Sequence, residues 1–287
     1  MNQKLLEETG ILLFQKGFTV KQLERSCFDI LARKGSRILL MKVLMDANAI
    51  TKEHANEMKK VSSYLQASPV VIAEKAGTPL EENVVYLRLG IPTLTIPTFK
   101  SAIEDKLPFL LRTNAGLTAN IIGEKLREKR EQQGLSLQGL SKKIGVSRRM
   151  IVKYEQENAE MTLQKAVKMY DLFGHEIFSK INIFSQQRGF VEEQPTPFTQ
   201  KYHQLGFAAN QTKKLPFDII AKRQEEIILT DIGDKVKEGF ASVSRLLDAD
   251  NLVIFERKKP KDVPAITKEE FLEFGQANEL IKFLKEF

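Results

Sequence analysis

The stretch LSLQGLSKKIGVSRRMIVKYE, residues 135–155, decides the fold of the central part of this 287-residue chain. Its first half places Leu137, Leu140 and Ile144 at the spacing of one helical face. Gly145 follows, and glycine tolerates the left-handed backbone of a tight turn. A second apolar-periodic segment begins directly afterwards. The stretch therefore predicts a helix-turn-helix, with one helix braced on the core and the next one presented to a groove.

The second helix of this stretch has two faces. Ser147 is placed to cap its N-terminus, as Ser136 is for the helix before it, while Ile151 and Tyr154 point toward the core. The other face is polar and basic, and a face of that kind can enter the major groove of DNA. We predict DNA contacts from Gln138, Lys142, Lys143, Ser147, Arg148, Arg149 and Lys153.

The segment resembles the helix-turn-helix domain shared by phage Cro and CI repressors. The similarity rests on Leu135-Ser136, Ile144 to Arg148, Ile151 and Lys153-Tyr154-Glu155. Residues around Leu126-Arg127 fit the first helix of that family, and residues 163–172 fit its fourth. The resemblance implies an all-α module at residues 117–180 with double-stranded DNA as its partner.

Three positions depart from the pattern of that family. Leu137 stands where the family usually has a Gln that touches the phosphate backbone, and Gln138 comes one residue late. Ser141 replaces a usual Ala where two helices meet closely. The Gly that usually follows the Tyr-Glu pair is missing, and Asn158 is the nearest substitute.

The charge of this segment favours a nucleic-acid partner. Residues 142–153 contain five basic residues and no acidic residue, whereas the net charge of +7 and the pI near 9.2 add only a mild general attraction to polyanions. Arg148 and Arg149 suit bidentate contacts to guanine, and the three lysines suit phosphates, which supply affinity rather than sequence choice. The alternative is a helical module whose basic face is only solvated.

Composition limits the other classes of function. The apolar fraction of 42% and the charged fraction of 28% describe an ordinary globular chain. Cys27 is the single cysteine, which excludes an intrachain disulfide and a Cys-rich zinc site. The three histidines, His54, His175 and His203, lack the spacing of metal ligands. We therefore predict no metal site and no cofactor.

Nothing in the sequence indicates export or insertion into a membrane. The opening residues, MNQKLLEETG, contain no apolar signal core. No stretch approaches the run of about 18 apolar residues that a spanning helix needs. We expect a cytoplasmic protein without a membrane partner.

Helices and strands alternate in the first third of the chain. Helical periodicity covers residues 3–16 and 51–66, and strand-like apolar runs include residues 38–44, 70–73 and 84–89. The alternation predicts an α/β domain with a mixed sheet. Residues 106–116 and 185–200 have the composition of linkers. The predicted domains are residues 1–106, 117–180 and 200–287.

The last third of the chain repeats the first. Gly206-Phe207 matches Gly17-Phe18, and Phe217-Asp218-Ile219 matches Phe28-Asp29-Ile30 in the same frame. After a shortened middle, the run from Val263 to Thr267 falls opposite Ile91 to Thr95. Because several blocks recur in one order, the sequence predicts two copies of one α/β fold on either side of the helical module.

The repeated unit resembles the restriction-endonuclease-like fold, in particular archaeal Holliday-junction resolvases. The family hydrolyses phosphodiesters with an Asp and then an acidic residue, any residue and a Lys on the next strand, where the two carboxylates hold Mg²⁺. Here Asp29 and Lys42 are present, but Leu40 stands at the acidic position. In the second copy Asp218 is followed by Leu229 and Asp231.

The broken motif argues against catalysis, so we predict no catalytic residue and no enzyme activity. Glu7, Glu8 or Glu74 would have to supply the second carboxylate in space if the first copy cleaved DNA. A catalytically silent copy can grip the duplex, form an interface or bind an effector, and the sequence does not choose among these roles. Asp29 and Asp218 are otherwise expected to make strand-end hydrogen bonds.

The fold class we predict is therefore α/β plus all-α, with two restriction-endonuclease-like mixed-sheet domains flanking a central Cro/CI-type helix-turn-helix. This arrangement resembles a group of archaeal regulators and implies a sequence-specific transcription regulator. Helix-turn-helix readers usually bind DNA as two-fold dimers, so a homodimer is expected by analogy. The alternatives are a DNA nuclease targeted by its helix-turn-helix and a protein-interaction scaffold. An effector ligand is not identified by the sequence.

Overall fold

A computed structural model gives the fold of the chain. It describes residues 3–114, 116–157, 159–185, 189–190 and 194–287. Contacts within the chain group it into two compact units. The first unit comprises Met1–Met45, Ala49–Val71 and Phe184–Phe287, and the second comprises Asp46–Asn48 and Ile72–Ile183. The three domains predicted from the sequence, residues 1–106, 117–180 and 200–287, stay a prediction.

Helices and strands follow the predicted order along the chain. The first third contains α1 (Gln3–Gln15), β1 (Thr19–Gln22), β2 (Ile30–Lys34), β3 (Arg37–Asp46), α2 (Lys52–Leu65), β4 (Ser68–Ala76), β5 (Thr78–Pro79), β6 (Val84–Arg88), β7 (Ile91–Leu94) and α3 (Ile96–Ile103). The middle contains β8 (Leu110–Thr113), β9 (Gly116–Asn120), α4 (Gly123–Gln132), α5 (Leu137–Ile144), α6 (Arg148–Glu157), β10 (Glu160–Thr162) and α7 (Leu163–Phe173). The last third contains α8 (Pro197–Gln204), β11 (Ala208–Gln211), β12 (Ile219–Arg223), β13 (Glu226–Ile232), α9 (Phe240–Leu247), β14 (Asp250–Phe255), β15 (Ala265–Thr267), α10 (Lys268–Glu273) and α11 (Ala277–Lys285).

The last third forms a complete mixed sheet with the strand order β11-β12-β13-β14-β15. The strands β11, β12 and β13 pair antiparallel, and β13, β14 and β15 pair parallel. One face of the sheet is covered by α8, α10 and α11, whose apolar residues join a core that includes Tyr202, Phe271 and Leu280. This arrangement is the predicted α/β fold.

The repeat that the sequence predicts is also present in the backbone. Arg25 and Lys214, which are equivalent by sequence, both adopt a left-handed backbone, with φ of 53° and 55°. The C-caps of α2 and α9, Gln66 and Asp248, agree as closely, with φ of 52° and 51°. L-residues rarely adopt this conformation, so its recurrence in register confirms that the two copies share one fold.

In the second unit the strands β8, β9 and β10, which the sequence did not predict, extend a sheet from the predicted strand β6. The order is β7-β6-β8-β9-β10, in which β6 and β8 are parallel and the other neighbours are antiparallel. The predicted hinge at residues 106–116 was wrong over β8, and the predicted all-α module also contains β9 and β10. These strands have three to five residues, too few to give a periodic signal.

Two sequence predictions fall partly or wholly on residues that are not described. Asn158, the expected substitute for a glycine, lies outside the described residues, as do parts of the second predicted linker at residues 185–200. None of the helices in the described ranges is both long enough and apolar enough to cross a membrane.

Candidate nucleic-acid interface

The helix-turn-helix forms as predicted, and its caps are those that the sequence indicates. The Oγ of Ser136 accepts a hydrogen bond from the N–H of Gly139 at 3.0 Å and begins α5. Gly145 ends that helix with φ of 75°. The Oγ of Ser147 accepts from the N–H of Met150 at 3.1 Å and begins α6. Each cap satisfies an otherwise unpaired backbone group, so the turn between the helices is locally determined.

An apolar core holds the four helices of the module together. Leu140 and Ile144 of α5 and Ile151 and Tyr154 of α6 are buried in it, as the helical spacing predicts. Burial of the Tyr154 ring raises the pKa of its hydroxyl. The same core buries Met169 of α7, so α7 packs against the apolar residues that α5 and α6 share.

The turn is braced from α7 by two lysines. The Nζ of Lys165 donates to the carbonyl oxygen of Gly145 at 2.9 Å, and the Nζ of Lys168 donates to that of Ile144 at 3.4 Å. These carbonyls belong to the C-terminal end of α5, where cations also interact favourably with the helix dipole. The lysines of α7 therefore have a structural role.

A buried ion pair joins α4 to α6, and sequence analysis missed it. Arg130 holds both carboxylate oxygens of Glu155, with Nε–Oε1 at 2.6 Å and Nη2–Oε2 at 3.0 Å. The hydrogen bonds to Glu155 raise the pKa of the Arg130 guanidinium. A signal existed, because Arg130 follows Leu126 by four residues and so shares its core-facing side.

Gly123 at the start of α4 allows the close approach of α4 and α6. A Cβ at this position would lie 2.3 Å from the carbonyl oxygen of Glu155. No side chain fits at that distance, so glycine is required by packing rather than by backbone angle. Nothing in the local pattern marks this glycine, since the contact comes from a residue more than one helix away.

All seven residues predicted to contact DNA are exposed on the module. Within the described ranges, no carboxylate lies within 4.0 Å of the side-chain nitrogens of Lys142, Lys143, Arg148 or Arg149. Lys153 differs, because its Nζ lies 3.7 Å from the Oε2 of Glu157 on the same helix. The departure Ser141 is buried and donates to the carbonyl oxygen of Gln138, so it replaces the usual Ala without leaving its hydroxyl unpaired.

The positions of these cations differ in what they contribute to the fold. Lys142 and Lys143 lie in the last turn of α5, where positive charge stabilises a helix. Arg148 and Arg149 open α6, and positive charge at a helix N-terminus is unfavourable. The helix dipole disfavours this arginine pair and no carboxylate among the described residues offsets its charge, so the pair is the strongest candidate for binding a ligand.

In the first nuclease-like copy the two motif residues that remain, Asp29 and Lys42, form an ion pair with each other. The Nζ of Lys42 lies 2.8 Å from the Oδ1 of Asp29, and the Oδ2 of Asp29 accepts from the N–H of Val43 at 2.8 Å. Both side chains are buried. The strand-end hydrogen bond expected for Asp29 is therefore present.

The second copy pairs its carboxylates by another route. Asp218 accepts from the N–H of Ile232 at 2.8 Å, the equivalent of the bond at Asp29. Asp231 stands opposite Asp218, where the first copy has Lys42, and Lys237 from the following loop contacts both carboxylates. Burial raises the pKa of Asp231. A lysine from another position thus replaces the missing one.

Neither copy gathers the ligands of a catalytic metal in the parts of the chain that are described. No group of three or more His, Cys, Asp or Glu side chains there is arranged to hold a metal ion. Glu7 and Glu8, considered as a second carboxylate, are exposed and interact with Gln3 and Lys4 of their own helix. Glu74 is exposed.

Comparison with known families gives matches over two parts of the chain. Residues 2–108 match the PD-(D/E)XK superfamily domain, and residues 126–174 match the helix-turn-helix family. A protein of Archaeoglobus fulgidus is 32% identical over 100% of this chain and 98% of its own length. One of Methanocaldococcus jannaschii is 30% identical over 99% and 97%, and one of Methanothermobacter thermautotrophicus is 35% identical over 77% and 71%. All three carry the name "Putative HTH-type transcriptional regulatory protein".

Proposed function

The chain belongs to this family of archaeal HTH-type transcriptional regulatory proteins, and on that premise we propose that it regulates transcription by reading duplex DNA through α6. The observation that carries the proposal is the pair Arg148 and Arg149. Both side chains are exposed, no carboxylate among the described residues neutralises them, and they open a helix that their charge destabilises. A ligand rich in acceptors and negative charge removes that conflict.

The roles of the cations follow from their chemistry. Arginine presents a planar fork that matches the O6 and N7 atoms of guanine, so Arg148 and Arg149 supply sequence preference in the major groove. Lys142 and Lys143 are point charges at the end of the preceding helix, and they bind phosphates. Gln138 and Ser147 add hydrogen bonds to the sugar-phosphate backbone of the DNA. Lys153 contributes least, because Glu157 shares its charge.

A homodimer fits this mode of reading. Two helix-turn-helix modules related by a two-fold axis contact half-sites about one helical turn apart on a pseudopalindrome. A monomer would contact one half-site and would have much lower affinity at the same salt concentration. We propose a dimer on DNA for that reason, in a cytoplasmic protein.

We propose no nuclease activity for the two flanking copies. The PD-(D/E)XK match covers the first copy, but its Asp29 is committed to Lys42 and to the N–H of Val43. In the second copy, Lys237 occupies the space between the two carboxylates. These contacts support a structural role for both sites.

Selection from a pool of random duplexes tests the proposal. The full chain is used without magnesium, the bound duplexes are sequenced, and the bound pool is then incubated with magnesium. We expect an enriched, roughly palindromic motif that remains uncut. Binding without enrichment would contradict sequence reading, cleavage with magnesium would establish the nuclease, and a failure to bind at low salt would leave a scaffold.

A further inference from the structure

The two nuclease-like copies differ at the strand that forms the edge of each sheet. Among the described strands, β1 pairs only with β2, and its counterpart β11 pairs only with β12. The other side of an edge strand carries backbone N–H and C=O groups that have no strand partner. What covers these groups in each copy decides whether the edge can pair with another chain.

The pairing register shows which backbone groups of β1 point outward. The N–H of Leu23 donates to the carbonyl oxygen of Asp29 at 2.9 Å, so these two residues form a hydrogen-bonded pair. Hydrogen-bonded and non-hydrogen-bonded pairs alternate along an antiparallel ladder. Val20 lies opposite Ala32, three residues before Leu23, and so belongs to a non-hydrogen-bonded pair. The N–H and C=O of Val20 therefore point away from β2, toward the open side of the strand.

In the second copy the equivalent carbonyl group is covered by a side chain. Ala209 corresponds to Val20, and its carbonyl oxygen lies 2.9 Å from the Nε2 of His203. Phe14 stands at the position of His203 in the first copy, because the carbonyl oxygen of each accepts from the N–H of the glycine three residues later. A phenyl ring cannot donate such a bond. No other group in the described ranges bonds to the outward side of Val20.

A crevice of about 500 Å³ lies beside β1 on the side where α9 packs. The charged residues of its wall are Lys21, Arg33 and Arg245, with one carboxylate, that of Asp248. Arg33 is paired with Asp248 at 2.6 Å. Lys21 and Arg245 have no carboxylate within 4.0 Å in the part of the chain that the structure describes. Three cations against one carboxylate leave the wall with a net charge of +2.

The second copy lacks these two unpaired cations. The residues equivalent to them are Asn210 and Ser63, which are uncharged. The cavity beside β11 is instead lined in part by Gln194 and Pro195, from the segment that precedes α8. The edge of the second copy is thus covered by uncharged residues of its own chain, whereas the edge of the first copy lies beside positive charge.

The other face of β1 adjoins exposed apolar side chains. A Cβ at Gly10 of α1 would lie 3.5 Å from the Nε2 of Gln22, so α1 covers the face of β1 that carries Gln22. On α1, Phe14 and Ile11 are 76% and 56% exposed. The helix α8 has a histidine and a glutamine at these two positions. A strand added to β1 would therefore meet cations on one face and apolar side chains on the other.

We propose that the edge of β1 binds an extended peptide of alternating acidic and apolar residues from a partner protein. The backbone of the peptide pairs with the outward N–H and C=O of Val20 and extends the sheet by one strand. Its acidic side chains meet Lys21 and Arg245, and its apolar side chains meet Phe14. A strand edge matches a peptide backbone, which DNA does not offer. The proposal does not depend on DNA reading, because every residue it uses lies in the first compact unit.

Fluorescence anisotropy of labelled octapeptides titrated with the full chain tests the proposal. The probes alternate Glu with Val, Lys with Val, or Glu with Pro. The Glu–Val peptide should bind saturably, and hydrogen exchange of the β1 amides should slow when it is bound. The Glu–Pro peptide keeps the charge but loses half of the N–H groups, so it should bind at least about tenfold more weakly. No saturation with Glu–Val, or equal binding of Glu–Pro or Lys–Val, overturns the proposal.

Two substitutions test the two faces of the edge. Phe14→His copies the second copy and should cover the carbonyl oxygen of Val20, so it should weaken Glu–Val binding about tenfold without lowering the urea midpoint. Its control is Val167→His, because Val167 is an exposed apolar residue in the other compact unit. Arg245→Gln should weaken binding about two- to fivefold. Its control is Arg257→Gln, an exposed arginine outside the crevice.

A third substitution removes the outward donor itself. Val20→Pro deletes an N–H that the ladder to β2 does not use, so it should abolish Glu–Val binding while the chain stays folded. If this variant does not fold, Phe14→His decides. Loss of affinity in these variants with retention in both controls supports the proposal, and unchanged affinity in Phe14→His overturns it. Displacement of the peptide by duplex DNA of random sequence, with weaker duplex binding in Arg245→Gln, would assign the edge to DNA and also overturn it.

Discussion

The helical module and the two nuclease-like copies both contain many charged side chains. In the copies three lysines are paired within the protein, whereas on the module two arginines face solvent. In the copies, Lys42, Lys60 and Lys237 turn toward carboxylates at 2.5–3.0 Å. In the helical module, Arg148 and Arg149 are exposed and open a helix whose dipole repels them. Charges of the first kind are paired within the protein, whereas those of the second kind have no carboxylate within 4.0 Å among the described residues.

This difference indicates where function resides more reliably than charge counts do. Charge counts show only a modest difference, because residues 117–180 contain 12 basic and 8 acidic residues while residues 200–287 contain 15 of each. A nuclease-like site whose lysine lies across its own aspartate has no free carboxylate pair for a metal ion. The helix-turn-helix also contains a buried pair, Arg130 with Glu155, and that pair supports the frame on which the free cations are displayed.

The largest effect is expected from breaking the buried ion pair of Glu57 and Lys60 on α2, whose side chains also bond to the backbone of the second copy. Lys60→Met leaves the carboxylate of Glu57 buried without its ammonium, which should cost about 3–5 kcal/mol of unfolding free energy. Urea denaturation measures it. The double variant Glu57→Gln/Lys60→Met should recover most of the loss, and DNA preference of the folded protein should not change. A single variant as stable as the wild type would show that this charge is not buried.

The next effect tests the frame of the helical module. Gly123→Ala places a Cβ against the carbonyl oxygen of Glu155, so α4 and α6 must separate, at about 1–3 kcal/mol. Hydrogen exchange of the α4 and α6 amides should accelerate, and DNA affinity should fall with it. Gly10→Ala in α1 is the control, because its Cβ would make only an ordinary contact, 3.5 Å from the Nε2 of the flexible Gln22 side chain. Equal exchange in both variants would refute the close approach.

A smaller effect separates phosphate contacts from base contacts. Lys142→Ala should weaken binding to all duplexes alike and should lower the slope of log K against log salt by about 0.9. Fluorescence anisotropy at several salt concentrations measures this slope. Lys4→Ala, far along the sequence in α1, serves as the matched charge control. An unchanged slope in Lys142→Ala would remove this lysine from the interface.

The smallest effect on stability is expected at His54, in the first turn of α2. Burial, Lys42 and Lys214 lower its pKa below the ordinary 6.5, while Glu53 and Asp29 oppose them. The unfolded chain therefore binds more protons as pH falls below about 6.5, and stability decreases in that direction. His54→Gln should flatten this dependence, measured as the urea midpoint at about pH 7.5 and about pH 5.5. If the urea midpoint of His54→Gln changes with pH as much as that of the wild type, His54 is not the cause of the dependence.

The sequence predicted features whose cause is local or periodic. The caps Ser136 and Ser147, the turn at Gly145 and the buried faces of α5 and α6 follow from residue type and spacing alone, and all are present. The internal repeat was also predictable, because its blocks keep their order. The backbone at Arg25 and Lys214 repeats for the same reason.

Features whose cause is distant in sequence were not predicted. Gly123 is required by a carbonyl on α6, and Lys237 reaches Asp218 from a loop without a counterpart in the motif. The strands β8, β9 and β10 were missed because each is short and is stabilised by its neighbours rather than by its own pattern. The predicted DNA contacts themselves remain predictions.

Comparison of base preference in two variants tests the central claim most directly. Duplexes selected by the wild type are titrated with Arg148→Ala and Arg149→Ala at one salt concentration, with each base pair of the motif changed in turn. Each variant should lose about 1–3 kcal/mol of affinity and should become indifferent to the base at one position in each half-site. If both variants lose affinity equally for every duplex and keep the full preference of the wild type, the arginines bind only phosphate and the claim is wrong.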